Sequence, residues 1–112
     1  MRETIGRDER VTVPGHLMSP RGGEHFVLRV IGNDMIEEAI TDGDYVIVLR
    51  REAVEPGEMA VVHVGDEATI KRVYPEGPIL RLVSANPAKA DVTVRAAEAK
   101  IAGVVVGLMR KL

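Results

Sequence analysis

Short apolar runs, broken at close and regular intervals by turn residues, extend along most of the chain. They occupy His25 to Ile31, Tyr45 to Leu49, Met59 to Val64, Thr69 to Tyr74, Ile79 to Val83, Val92 to Arg95 and Ile101 to Leu108. The breaks are Pro14-Gly15, Arg21-Gly22-Gly23, Gly32-Asn33-Asp34, Asp42-Gly43-Asp44, Pro56-Gly57, Gly65-Asp66, Pro75-Glu76-Gly77-Pro78 and Asn86-Pro87. Runs of this length bounded by Gly, Pro, Asn and Asp read as strands joined by tight turns. Pro56-Gly57 has the order of a type II turn, where Pro presets φ and Gly accepts a positive one. Gly65-Asp66, between two β-rich runs, predicts a hairpin loop. The pattern therefore predicts an all-β, mainly antiparallel domain, curled or two-layered. One short helical turn is expected at Asp34 to Ala39, with Ile36 and Ile40 on one face, and a second near Ala96 to Lys100. No internal repeat, low-complexity tract or linker interrupts the pattern, and 112 residues fit one domain. Residues 1 to about 10 are expected to form a flexible arm.

Two runs break the alternation. Met59-Ala60-Val61-Val62 and Val104-Val105-Val106 are apolar at consecutive positions, so both faces of their strands should be covered. For Val104, Val105 and Val106 a central strand and a dimer seam fit equally well.

Composition sharpens this by exclusion. The only aromatic residues are Phe26, Tyr45 and Tyr74, so the core must be aliphatic, and the many Val and Ile suit pleated surfaces. With no cysteine there is no disulfide, thiolate metal site or cysteine nucleophile. A net charge of −2 gives no electrostatic reason to bind nucleic acid. Met1 to Arg10 is charged and lacks an apolar run, which excludes a secretory signal there. Val104 to Val106 is far too short to cross a membrane. A cytoplasmic location is the expectation.

Candidate chemistry is sparse. His16, His25 and His63 form no ligand-spaced pair, and Asp42 and Asp44 flank Gly43 as turn chemistry, so neither a metal nor a cofactor is expected. The glycines match no phosphate-binding pattern. Ser19 and Ser84 lie in Pro-containing loops, where turn formation is the expected role. Lys71 is the exception, sitting inside Ala68-Thr69-Ile70-Lys71-Arg72-Val73. A mid-strand lysine ordinarily snorkels to water, but a desolvated one becomes a candidate general base.

The segment Phe26-Val27-Leu28-Arg29-Val30-Ile31-Gly32-Asn33-Asp34-Met35-Ile36-Glu37-Glu38-Ala39-Ile40-Thr41-Asp42-Gly43-Asp44-Tyr45-Val46-Ile47-Val48 resembles the C-terminal peptidase domain of LexA-type repressors. That family includes the UmuD proteins and the phage repressors that cleave themselves. The likeness continues through Val54 to Val62, Asp66 to Val73 and Ile101 to Gly107, covering residues from about 24 to 108. It implies the curled β fold of that peptidase domain and a homodimer formed through the C-terminal strands, with Val104, Val105 and Val106 at the seam. It also implies repression of DNA-damage (SOS-response) genes by the intact protein, and a RecA-type filament as the partner that triggers cleavage. In the family the turn reads Gly-x-Ser-Met. The serine attacks a peptide bond of its own chain, and the lysine matching Lys71 is its general base. Gly32 and Met35 match the oxyanion and turn positions.

Asp34 stands where the family has its serine. A carboxylate cannot complete a serine-type acyl transfer, and beside Lys71 it favours the charged amine, so the dyad becomes an ion pair without a base. Residues 1 to 24 contain no alanine and hence no Ala-Gly scissile bond, and Thr12-Val13-Pro14 looks like the stretch that follows the cleavage region in relatives. The expectation is an arm over residues 1–23, a peptidase-like and dimerisation domain over 24–112, and no helix-turn-helix. Self-cleavage is expected to be lost. The competing expectation is a stand-alone interaction or peptide-binding domain of the same fold. An active aspartate-dependent hydrolase is disfavoured, because one carboxylate beside a lysine gives no paired-acid geometry.

Overall fold

The computed structural model describes residues 15–17, 19 and 22–110. Seven strands form one antiparallel sheet: β1 His25–Arg29, β2 Tyr45–Arg50, β3 Glu58–Val64, β4 Glu67–Glu76, β5 Ile79–Val83, β6 Val92–Arg95 and β7 Ala99–Met109. Their order across the sheet is β1-β2-β7-β3-β4-β5-β6. The helical elements among the described residues are single 3-10 turns at Gly15–Leu17, Ile36–Glu38 and Ala96–Glu98. The all-β, antiparallel expectation holds. Thr12 to Pro14 and most of the expected N-terminal arm lie outside the described residues.

Turn chemistry sets the hairpins. Val64 pairs with Glu67 across Gly65-Asp66, with Gly65 at φ 60°. A two-residue hairpin loop needs a positive φ at its first central residue when the turn is of the II′ type, and glycine supplies it without steric cost. Glu55 to Glu58 closes around Pro56-Gly57, with Gly57 at φ 86° and the Glu58 amide 3.1 Å from the Glu55 carbonyl.

The sheet is covered on both faces, which accounts for the runs that broke alternation. Val61 and Ile70 pack with Val30, Met35, Ile40, Val46 and Val48 on one side. Ala60 and Val62 face the other way, among Val73, Leu80, Leu82 and Val104. β7 lies between β2 and β3, so the Val104-Val105-Val106 run belongs to a central strand. The register of β7 slips once against β2, between Ile47 and Val48, and once against β3, between Val61 and Val62. Such bulges bend a strand and raise its twist, and two on a central strand curl the sheet. Gly103 is required where β7 meets β2, because a Cβ there would stand 2.4 Å from the Leu49 carbonyl oxygen.

One local expectation is corrected. Ile36 and Ile40 do not share a face: Ile40 is buried, whereas Ile36 is exposed. Ala39 adopts a left-handed conformation (φ 60°) and ends the turn after Glu38, so helical periodicity never reaches Ile40. Arg110 pins this reversal. Its guanidinium donates to the Ala39 carbonyl at 2.7 Å and to both oxygens of buried Asp44, at 2.8 and 2.7 Å. Arg110, followed by the Thr41 amide, holds the Asp44 carboxyl below its ordinary value against the opposing effect of burial. A carboxylate depressed in the folded state contributes stability above its unfolded value, and that contribution disappears as pH falls through the folded one. Arg110→Ala should therefore melt below the parent at neutral pH. The gap should narrow as pH drops below the ordinary carboxylate range, as followed by thermal denaturation across pH.

Candidate functional site

Three segments converge at one end of the sheet. The first is the turn after β1, carrying Gly32, Asn33, Asp34 and Met35. Gly32 sits at φ 98°, and its amide donates to Asp42 at 2.9 Å, which turns the chain out of β1. The second is β4, whose Lys71 is opposed by Ala60, and that small neighbour leaves room for a long side chain. The third is the loop leaving β5, residues 84 to 89.

This loop straps down the first turn. The Glu37 amide donates to the Ala85 carbonyl at 2.7 Å, and the Asn86 side chain to the Asn33 carbonyl at 2.9 Å. The Ala85 amide reaches the sulfur of buried Met35 at 3.4 Å. Arg72, the neighbour of Lys71, faces the other way and secures the same turn. It donates through Nε to Glu38 at 2.9 Å and to the Gly57 carbonyl at 2.9 Å, and the Glu38 carboxylate raises its pKa further.

At the centre Lys71 and Asp34 are in direct contact, as the sequence predicts for a charge pair, and each side chain is 2 % exposed. Lys71 Nζ also lies 2.7 Å from Ser84 Oγ. Lys89 Nζ approaches the other Asp34 oxygen at 2.6 Å and is itself 39 % exposed. The cluster is therefore one buried carboxylate shared by two ammonium groups, of which only Lys89 retains much contact with water. The Thr69 hydroxyl, on the Lys71 face of β4, is buried without a hydrogen-bond partner.

The structure thus brings together Gly32, Asp34, Met35 and Lys71. Val104, Val105 and Val106 stand apart from them, in the middle of β7. Sequence reading missed Lys89 and saw Ser84 and Asn86 only as turn chemistry. A local signal for the strap exists in Asn86, whose side chain accepts from the Ala88 amide at 2.9 Å as an Asx turn does. Nothing local announces what the loop touches. Among the described residues no group of three or more His, Asp or Glu side chains is placed to hold a metal.

In chemical terms the arrangement supplies a hydroxyl, an amine and a carboxylate in series. Lys71 donates to two oxygens, whereas a general base must accept a proton.

The sequence profile of the Peptidase S24-like family matches residues 2–106. The chain is similar to the LexA repressor of Desulforamulus reducens, 46% identical over 105 residues that make up 94% of this chain and 47% of that protein. It is also similar to the LexA repressor of Myxococcus xanthus, 46% identical over 94 residues covering 81% of this chain and 42% of that protein. To the LexA repressor of Thermotoga neapolitana it is 39% identical over 105 residues, covering 94% and 53%. The chain spans about half the length of the curated relatives it matches.

Proposed function

This chain belongs to the Peptidase S24-like family, and from that premise we propose that it is the peptidase-like and dimerisation domain of a LexA-type repressor whose self-cleavage has been lost. The single observation that carries the reading is the buried ion pair of Asp34 and Lys71 at the positions of the family's serine and lysine. Attack on a peptide bond needs a hydroxyl that can be acylated and an amine with a free lone pair. Position 34 offers a carboxylate instead, and the amine is engaged by it.

Residues 24–112 form the peptidase-like unit in this reading, and residues 1–23 follow the segment that relatives cut. The domain's contribution is then to hold two repressor copies together, with the half-buried Val105 and Val106 of β7 at the seam and Val104 inside the core of each copy. Nucleic acid is contacted by another part of the protein, in the cytoplasm, and a RecA-type filament remains the family's trigger even where cleavage no longer follows. Sedimentation equilibrium tests the dimer. At micromolar concentration the chain should sediment at twice its mass of 12.2 kDa, and Val106→Lys should return it to the monomer. A parent that sediments as a monomer would contradict the dimer.

A second reading, a stand-alone interaction domain that inherited the fold, draws support from Lys89. A second cation on Asp34 makes the old site a structural junction between the turn, β4 and the strap. Intact mass of the native cellular protein separates the two: a species near twice the mass of this chain supports the repressor domain.

A further inference from the structure

The segment that leads into β1 is fastened by one histidine, at the opposite end of that strand from Asp34. The 3-10 turn at Gly15–Leu17 lies against β7, where a Cβ on Gly107 would stand 3.0 Å from the Leu17 carbonyl oxygen and 3.2 Å from the Ile47 side chain. Two residues on, the chain is tied to β1. The Ser19 amide lies 3.0 Å from Nε2 of His25, and Nδ1 of the same ring lies 3.0 Å from the Gly23 carbonyl oxygen. The Gly22 amide donates back to the Ser19 carbonyl at 3.0 Å and closes the reversal between them. These partners fix the state of the ring. A backbone amide only donates and a carbonyl only accepts, so Nε2 must carry the lone pair and Nδ1 the proton. The clipped ring is therefore neutral. Protonation would set an Nε2–H against the Ser19 N–H, two donors with no acceptor between them.

We propose that His25 is a pH-sensitive clip, which fastens residues 15–19 while its ring is neutral and releases Ser19 when the ring is protonated. Among the described residues, the charged and titratable groups on the elements about the ring offer it no counter-charge. Glu24, beside it, and Arg50 of β2 pair with each other at 3.1 Å. Arg29 and Tyr45 are cross-strand partners at the far end of the β1–β2 pairing, whereas His25 itself is paired with Leu49. His16 of the 3-10 turn is exposed, and the half of β7 under that turn, Val105 to Met109, carries no charge. Nothing there compensates an imidazolium for the lost Ser19 contact. The clip therefore holds at mildly alkaline pH and opens on acidification, over the span of roughly pH 8 to 5 in which histidines titrate. Once Ser19 is released, residues 15–19 are free to leave β7, and the path by which the chain enters the domain changes with acidity. This device is independent of the Asp34–Lys71 pair.

NMR of the isotope-labelled chain tests this through the ring and through amide exchange. At mildly alkaline pH, long-range ring spectra should place the His25 proton on Nδ1 alone, and a proton on Nε2 overturns the proposal. The Ser19 amide should lose at least about tenfold of its protection between roughly pH 8 and pH 5, intrinsic exchange rates allowed for, while the amides of β3 keep theirs. His25→Gln, whose side-chain oxygen accepts from Ser19 at any pH, should keep the protection across that window. His25→Lys, a donor throughout it, should lack the protection at both ends. His16→Gln should respond to pH as the parent does. A parent that keeps Ser19 protected on acidification overturns the proposal, as does a His25→Gln chain that loses protection like the parent. Loss at Ser19 and in β3 together would be global unfolding and would overturn it too, as would a response that disappears in His16→Gln. If His25→Lys does not fold, the parent and His25→Gln still decide the matter.

Discussion

Asp34→Ala should cost about 3–5 kcal/mol of folding stability, the range for breaking a buried pair and leaving one charge uncompensated. The charge left behind is Lys71, enclosed in the sheet with the Ser84 hydroxyl as its remaining oxygen partner. For a domain whose total stability is roughly 5–15 kcal/mol, that is a large share. Lys71→Met should cost less, because the stranded carboxylate still has Lys89, which keeps contact with water. Asp34→Leu/Lys71→Met should recover most of the loss, since replacing both members of a buried pair by apolar groups is often near neutral. Urea denaturation of the parent, the two single variants and the double variant completes the cycle. Single-variant losses that simply add in the double variant would show that the two side chains are not coupled.

Asp34→Ser should restore self-cleavage chemistry at a cost in stability. With a hydroxyl at position 34 and no carboxylate on the amine, the nucleophile and base of the family's dyad are both present. A peptide carrying an Ala-Gly bond, supplied in trans, should then be cut at alkaline pH, where the lysine can accept the hydroxyl proton. Loss of the nucleophile or its base in a serine enzyme lowers kcat by about 10⁶-fold, so the gain over the parent should be at least about a thousandfold. Asp34→Ser/Lys71→Ala should be inert. The same substitution strands Lys71 without its carboxylate, so the active variant should unfold at lower urea than the parent, as sites tuned for catalysis generally do. Gain of cleavage with unchanged stability would show that the Asp34–Lys71 pair contributes nothing to folding. An inert Asp34→Ser chain would show that more than the nucleophile has been lost, with the strap over the turn as the first suspect.

Much of the fold is legible from local pattern. All seven strands fall where the apolar runs do, because strand length and turn chemistry are short-range properties. The consecutive apolar positions of β3 and β7 announced that both faces were covered, yet could not say by what. The answer is the sheet itself, curled so that its two faces bury separate clusters. The two register slips on β7 leave no local mark, since a bulge depends on how three strands fit together. Ile36 and Ile40 misled because their spacing assumed a continuing helix, whereas Ala39 reverses the chain and is pinned from Arg110, 71 residues away. At the site, the Asp34–Lys71 pair was legible only through the family likeness. Ser84 and Lys89 were not, because their meeting with residues 34 and 71 is made by a loop whose partners lie far off in the sequence. A serine followed by Ala-Asn-Pro reads locally as a turn, and that reading is also correct.

In the proposed reading a carboxylate at position 34 silences this site by occupying Lys71. The most direct measurement holds the parent chain overnight with the Ala-Gly peptide at alkaline pH, beside Asp34→Ser under the same conditions, and follows both by intact mass. The peptide should survive uncut with the parent and be cleaved by the variant. Cleavage by the parent at a comparable rate would contradict it.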